Sequence, residues 1–410
     1  MFVWMSNQII YPFEPLDINV VMEVFKQASI PFCACIILKI AGNTIHANGK
    51  RLWSYFLFFS ISLTSLLGTT QTLTGSHAES TNWLFYGLSF YSASLAFHFA
   101  QAAPGHQVKW PMTIFAANPL LIFTGPIATQ FGPIRHKCWN RRVRYFFPFV
   151  VIGLFFHQTI ATPLVETFHL IKNTDLVSSL TFALIFELFV YANFCGLSLL
   201  IYGLFGVAGY KIPLNFRQPF SASNLIDFWR GWHTSLSSVL KILFYVPARK
   251  AWNTESAIII VYFASAMWHG VTWNFVIWGL MHGCFFVIGL HLLRRKIRFL
   301  SVPLMVTGII LGRLVFADAN FDRLSEKLSF RYRGLEVFGV IADLTTRCQL
   351  SLLIILGIVG SEFFFQRHPC FRKRNYKFLR LPMVQIILMI LLALTLSRSA
   401  NPDFAVYGQR

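Results

Sequence analysis

Charge is what this 410-residue chain has least of. Only 12% of its residues are Asp, Glu, Lys or Arg, about half the 25% that water-facing domains carry. A soluble multi-domain protein is excluded by that deficit, and no polar low-complexity linker or 20–50-residue repeat interrupts the chain. Disorder is excluded from the other side, because 55% of the residues are hydrophobic and 17% aromatic. Carboxylates are scarcer than cations, 16 against 35, for a net charge of +19. Nucleic-acid binding does not follow, because the Lys and Arg residues stand between apolar runs instead of along one interleaved face. The chemistry-bearing signatures that are missing include a Gly-rich phosphate loop, a Walker motif, a Ser-His-Asp order, paired carboxylates and a metal-ligand spacing. Cys33-x-Cys35 is too close and too isolated for a zinc half-site. The seven cysteines fall mostly in apolar runs and read as buried thiols. Residues 1–20 hold Glu14 and Asp17 without a basic leader or cleavage site, so they are not expected to be a removable signal peptide.

Apolar runs are what the chain has in abundance, each able to cross about 30 Å of hydrocarbon. They lie near 18–42, 52–74, 83–103, 111–128, 145–165, 178–207, 256–271, 273–293, 300–317, 348–366 and 381–398. The expected fold class is therefore all-α: a polytopic transmembrane protein of about ten spanning helices, read as one integral-membrane domain over 1–410. Three basic clusters set its orientation. Arg135, Lys137, Arg141, Arg142 and Arg144 form one loop, Arg294, Arg295, Lys296 and Arg298 a second, and the Arg- and Lys-rich 367–380 stretch a third. The positive-inside rule makes these cytoplasmic and the charge-balanced 318–347 loop external, and every crossing between 145 and 398 then alternates correctly. Upstream the alternation fails if Lys50 and Arg51 are also cytoplasmic. The segment expected not to cross is 111–128, since Pro111, Pro119, Gly125 and Pro126 interrupt its helical ladder. Broken backbone at membrane depth needs protein or water around it, so a re-entrant or surface-lying segment is expected there. The alternative is that Lys50 and Arg51 face outside.

Two stretches carry candidate chemistry. Residues 211–250 are the least membrane-like part of the middle, and Ser221 to Tyr245 reads as one helix that would lie in the cytoplasmic interface or dip into the protein. Ser223 would cap it, Leu225, Phe228, Trp229, Trp232, Leu236, Val239, Leu240 and Leu243 recur at helical spacing, and His233 stands at its centre. Downstream, Trp268-His269-Gly270 is followed by Trp273-Asn274-Phe275 and His282-Gly283. An ionisable side chain inside a spanning segment is costly and so is a functional candidate. A desolvated imidazole at His269 stays uncharged, as a general base requires, and Gly270 leaves room for another backbone or a thin substrate. The bland readings are an interhelical hydrogen bond for His269, a structural role for His282 and an interfacial belt for the tryptophans. No role is assigned to His98, His157, His169 or His291.

These residues resemble a known family. Phe216-Arg217-Gln218-Pro219-Phe220, with Asp227-Phe228-Trp229-Arg230-Gly231-Trp232-His233-Thr234-Ser235-Leu236-Ser237, is similar to the "N-F-x-x-P-Y/F … E-F-W-R-R-W-H-x-S-L-S" block of membrane-bound O-acyltransferases. The nearest branch is the bacterial one of alginate O-acetyltransferase and teichoic-acid D-alanyl transferase. The Trp268-His269-Gly270 block through His282-Gly283 is similar to its second signature. Thr124-Gly125-Pro126-Ile127 resembles its "G-P-I" segment, Tyr191 to Gly196 its "Y-x-D-F-S-G-Y", and Gly312 to Asn320 its "W-V-F-F-R-A" region. The likeness covers about 110–320, while 1–110 offers no residues to match.

The resemblance implies a ring of helices around a thinned centre, in a bacterial cytoplasmic (inner) membrane. A cytoplasmic funnel would admit an acyl donor, and an outer opening the acceptor. The implied reaction is O-acylation, foremost O-acetylation, of a cell-envelope polysaccharide or similar exported hydroxyl. The donor would be an acyl-CoA or acyl carrier protein thioester, with no bound cofactor or metal and with a possible periplasmic acyltransferase partner. His269 would be the general base and His233 would position the donor or help the proton leave. Trp229, Arg230, Trp232, Trp268, Asn274 and Asn193 would line the funnel. Three positions depart from the pattern: Asn193 stands at the usual Asp, Leu197 at the Tyr and Gly231 at the second Arg. The rival readings are a transporter or flippase, which would ordinarily show two related halves, and an inactive scaffold of the same family.

Overall fold

The computed structural model describes residues 37, 39, 40, 47–66, 78–102, 121, 125–134, 138–164, 176–318, 321–329, 351–362 and 381–396. In chain order these contain α1 (Ala47–Leu66), α2 (Ala78–Gln101), β1 (Gly132–Pro133), α3 (Trp139–Leu154), continued by the π-helical turn Phe155–Ala161, α4 (Leu176–Ala208) and β2 (Tyr210–Lys211). A 3₁₀ turn at Pro219–Ser221 leads to α5 (Leu225–Gly231) and α6 (Thr234–Leu240). A second π turn at Lys241–Tyr245 leads to α7 (Val246–Ala251), α8 (Thr254–His269), α9 (Trp273–Arg294), α10 (Ser301–Phe316) and α11 (Phe321–Leu328). An apolar helix over Ser351–Glu362 is α12, and Pro382–Leu396 is α13. The chain is thus predominantly helical, as expected, with one two-residue antiparallel bridge pairing Gly132 with Lys211 and Pro133 with Tyr210.

Among the described residues three helices are long and apolar enough to span, Trp139–Leu164, Leu176–Ala208 and Trp273–Arg294, and three more are apolar but shorter. The first of them starts six residues before the expected 145. Arg141, Arg142 and Arg144, expected in a loop, belong to its first turns, because Arg is a good helix former whose long stem keeps its charge at the surface. The 18–42 run, the greater part of the 318–347 loop and the 367–380 basic cluster lie outside the described residues.

The chain folds as two compact units interleaved in sequence. One comprises Met1–Pro133, Tyr210–Leu214 and Thr234–Val271, the other Ile134–Gly209, Asn215–His233 and Thr272–Arg410. In the first, α1 packs on α2 and α8, and α8 also meets the Lys241–Tyr245 turn. Asn253 starts α8 by accepting the backbone N–H of Ser256 at 2.7 Å. Of the segment expected not to cross, residues 121 and 125–128 are described and the rest lies outside. Residues 125–128 are buried and non-helical. Their backbone groups are satisfied by protein: Ser94 Oγ donates to the Ala128 carbonyl at 2.9 Å, His98 Nε2 meets the same carbonyl at 2.8 Å, and Ile127 N–H donates to Ser235 Oγ at 3.1 Å. His98, given no role from the sequence, therefore holds an irregular strand of chain in place.

In the second unit α4 is the axis. It is apolar all round and buried along nearly its whole length, which is how a helix without a polar face behaves. It crosses α3 backbone against backbone at Gly153, Gly196 and Gly203: an added methyl on Gly153 would stand 2.6 Å from the Gly196 carbonyl oxygen. Small residues let spanning helices approach this closely. Beside the crossing, in the π turn, His157 Nδ1 pairs with Asn193 Oδ1 at 2.8 Å. The buried-thiol expectation holds for Cys195 and fails for Cys138 and Cys284, which are exposed. Cys284 lies on an exposed face of α9.

Candidate active site

The site begins where helical periodicity misleads. Residues 221–245 do not form one helix: the chain is helical over Leu225–Gly231, extended at Trp232, left-handed at His233 (φ +44°) and helical again from Thr234. The cap is Asn224 and not Ser223. Its Oδ1 accepts the Asp227 N–H at 2.9 Å while its Nδ2 donates to Asp227 Oδ2 at 2.8 Å. A left-handed conformation costs a non-glycine residue about 1–2 kcal/mol, so the surroundings must impose it. They do so from residues distant in sequence. Arg217 N–H donates to the Gly231 carbonyl at 2.9 Å, and the buried His233 ring meets Phe194 edge-on at 4.7 Å. Gly231 itself is pressed by the 217–219 chain, since a Cβ there would sit 3.1 Å from both the Arg217 carbonyl oxygen and Pro219 Cα.

The break aims the Trp229 and Trp232 rings at residues of α9, α10 and the Phe216 stretch. Trp232 stacks on Phe228 (5.5 Å) and meets Phe216 edge-on (5.0 Å). The Arg313 guanidinium lies over its ring at 4.9 Å, a cation–π arrangement. Trp229 meets Trp278 (5.9 Å) and His282 (5.1 Å), which touch each other at 4.7 Å. Gly312 makes room for this set, because a methyl there would fall on His282 Nε2. The Arg313 Nε–H donates to Glu187 of α4, and both side chains are buried. An aromatic and cationic cluster thus adjoins the residue that precedes His233.

His269 belongs to the first unit and His233 to the second. His269 is the last residue of α8, half-buried, with Trp268 edge-on at 5.0 Å. Trp268 is buried against Phe58 (6.5 Å) and Phe90 (5.7 Å). Of the residues expected to line a funnel, Trp229 and Trp232 are in the second unit's cluster. Arg230 points to the surface, 74% exposed, and pairs with Asp227 at 3.1 Å. Asn274 is buried and ties α9 to α10, donating to the Phe316 carbonyl at 3.3 Å and accepting from Thr272. Asn193 holds His157. Among the described residues no group of three or more His, Cys, Asp or Glu could hold a metal ion.

Sequence reasoning missed Glu187, Arg313, Glu362 and the His157–Asn193 pair. The signal was available for the first three, because each is an ionisable residue inside an apolar run, the same property that singled out His269. Glu362 accepts the Tyr191 hydroxyl at 2.6 Å and the Phe220 N–H at 3.3 Å.

With this geometry in view, residues 136–305, a segment that holds both histidine blocks, match the model of MBOAT, the membrane-bound O-acyltransferase family. A peptidoglycan O-acetyltransferase of Helicobacter pylori is 38% identical over 109 residues, 26% of this chain and 20% of that protein. A probable alginate O-acetylase of Azotobacter vinelandii is 28% identical over 197 residues, 43% and 38% of the two chains. A teichoic acid D-alanyltransferase of Streptococcus thermophilus is 33% identical over 122 residues, 27% and 29%. The matches thus cover between a fifth and two-fifths of these relatives' lengths.

Proposed function

We propose that this protein is a multi-pass O-acyltransferase of a bacterial cytoplasmic membrane that acylates, foremost acetylates, a hydroxyl of an exported envelope glycan. The observation that carries the reading is the coincidence of the MBOAT match over 136–305 with a buried histidine, His233, held in a left-handed turn beside a Trp–Arg cluster. Strained backbone that its surroundings over-determine belongs to functional sites.

In the proposed reaction the neutral imidazole of His269 removes the proton of the acceptor hydroxyl. The oxygen attacks the thioester carbonyl, the carbon–sulfur bond breaks, and the thiolate leaves with a proton, giving an ester and a free thiol. His233 orients the donor or assists proton departure. The donor is a coenzyme A or carrier-protein thioester entering from the cytoplasm. About ten helices would surround a funnel that lets donor and acceptor meet without a rocking cycle, and a periplasmic acyltransferase could complete delivery to the polymer.

The test compares ester content of surface polymer in cells expressing equal amounts of wild type, His269→Ala and His233→Ala. Loss of more than about 90% of the added ester in His269→Ala is expected, since removing a positioned base costs about 10²–10⁴-fold. Unchanged ester content there sinks the assignment of the base, and absence of added ester in the wild type sinks the acyltransferase reading.

A further inference from the structure

The Glu187–Arg313 pair is unfinished as a structural device. Burying two charges costs several kcal/mol per ion, which geometry must offset by satisfying the remaining donors and acceptors. A pair present only for stability is expected to use the guanidinium fork in a bidentate fashion. Here Arg313 reaches the carboxylate through Nε–H to Oε2 alone. Glu187 Oε1 is buried and has no hydrogen-bond partner among the described residues, and no acceptor among them takes the Nη hydrogens of Arg313. A buried anionic acceptor with one unmatched oxygen therefore stands beside a guanidinium that uses one of its N–H groups on it.

A group that completes both must accept from a guanidinium N–H and donate to a carboxylate oxygen within one small unit. A secondary amide does this, its carbonyl taking an Nη hydrogen and its N–H meeting Oε1. Flanking methylenes would find apolar surface on the half-buried Trp229 ring, which meets His282 edge-on at 5.1 Å. The thioester donors of the proposed reaction carry such amides in their pantetheine arm. Resting on that reading, we infer that Glu187 and Arg313 are donor-binding residues that grip a pantetheine amide. The same arm comes on coenzyme A or on a carrier protein, and the recognition is common to both.

The experiment measures thiol release in membranes carrying the full chain and its own glycan. The donors are S-acetyl-N-acetylcysteamine, which holds the amide, and S-pentyl thioacetate, which replaces it with methylenes. Acetyl-CoA and an acetylated carrier protein, as separate arms, tell which source supplies the amide. The wild type is expected to prefer the amide donor in kcat/KM by about tenfold or more, the usual yield of hydrogen bonds to charged groups. Glu187→Gln, which turns the acceptor into a donor at nearly constant shape, and Arg313→Lys should each shrink that preference at least about fivefold, chiefly through KM. The ratio cancels the amount of folded protein, so a fold defect alone leaves it unchanged. An unaltered ratio, or loss of both donors in equal proportion up to complete inactivity, overturns the inference and leaves a structural or water-filled pair. No release from any thioester by the wild type sinks the acyltransferase reading and this inference with it.

Discussion

Replacing Gly153 with alanine tests the backbone-to-backbone crossing that positions α4. In an isolated helix the change is favourable by about 1 kcal/mol, because alanine loses less chain entropy. In this crossing the new methyl would stand 2.5 Å from Leu200 N, 2.6 Å from the Gly196 carbonyl oxygen and 2.9 Å from Leu200 Cα. All three are backbone atoms and cannot rotate away. Ordinary contact begins near 3.4 Å, so the helices must part by roughly 0.9 Å. Overpacking of this kind costs about 1–3 kcal/mol. The same separation stretches the His157–Asn193 bond from 2.8 Å to beyond hydrogen-bonding range and adds about 1–3 kcal/mol for the unpaired buried group. Net destabilisation should be about 1–5 kcal/mol, or roughly 2–20 °C in Tm for a unit of this size. The assay is thermal unfolding of detergent-solubilised protein, followed by loss of the monodisperse size-exclusion peak. Gly357→Ala in α12 is the control, because a methyl there meets nothing within 4 Å and should be neutral or slightly stabilising. If Gly153→Ala melts at or above the wild type, the close crossing is refuted.

Gly231→Arg, which restores the residue type of the family block, should lower the yield of folded protein and fail to improve donor KM, because Arg217 and Pro219 backbone crowd the position; improved KM with normal yield would contradict this. Gly312→Ala should cost about 1–3 kcal/mol of stability by pushing a methyl onto His282, read as a lower Tm. Tyr191→Phe strips the hydroxyl donor from buried Glu362 and should cost about 1–3 kcal/mol, whereas a Tm within a degree of wild type would show that the bond contributes nothing. Arg230→Ala should leave Tm unchanged, since an exposed pair at i,i+3 contributes about 0–1 kcal/mol.

What the sequence determined by itself is what depends on near neighbours. Scarcity of charge and the length of apolar runs gave the helical membrane class, and the positions of α4, α9 and α10 agree with the runs at 178–207, 273–293 and 300–317 within a few residues. The family resemblance of two motif blocks pointed to about 110–320, which contains the matching 136–305, and singled out Trp229, Trp232 and both candidate histidines. Tertiary structure decided what depends on distant partners. The 3.6-residue period runs unbroken through Trp232 and His233, because periodicity records which side chains are apolar and not whether backbone can stay helical. The left-handed turn exists because Arg217 and Phe194 hold it. Glu187 and Arg313 are 126 residues apart and His157 and Asn193 are 36 apart, so each was legible only as a costly polar residue in an apolar run. A buried charge declares locally that it needs a partner; which partner answers is settled when the helices pack.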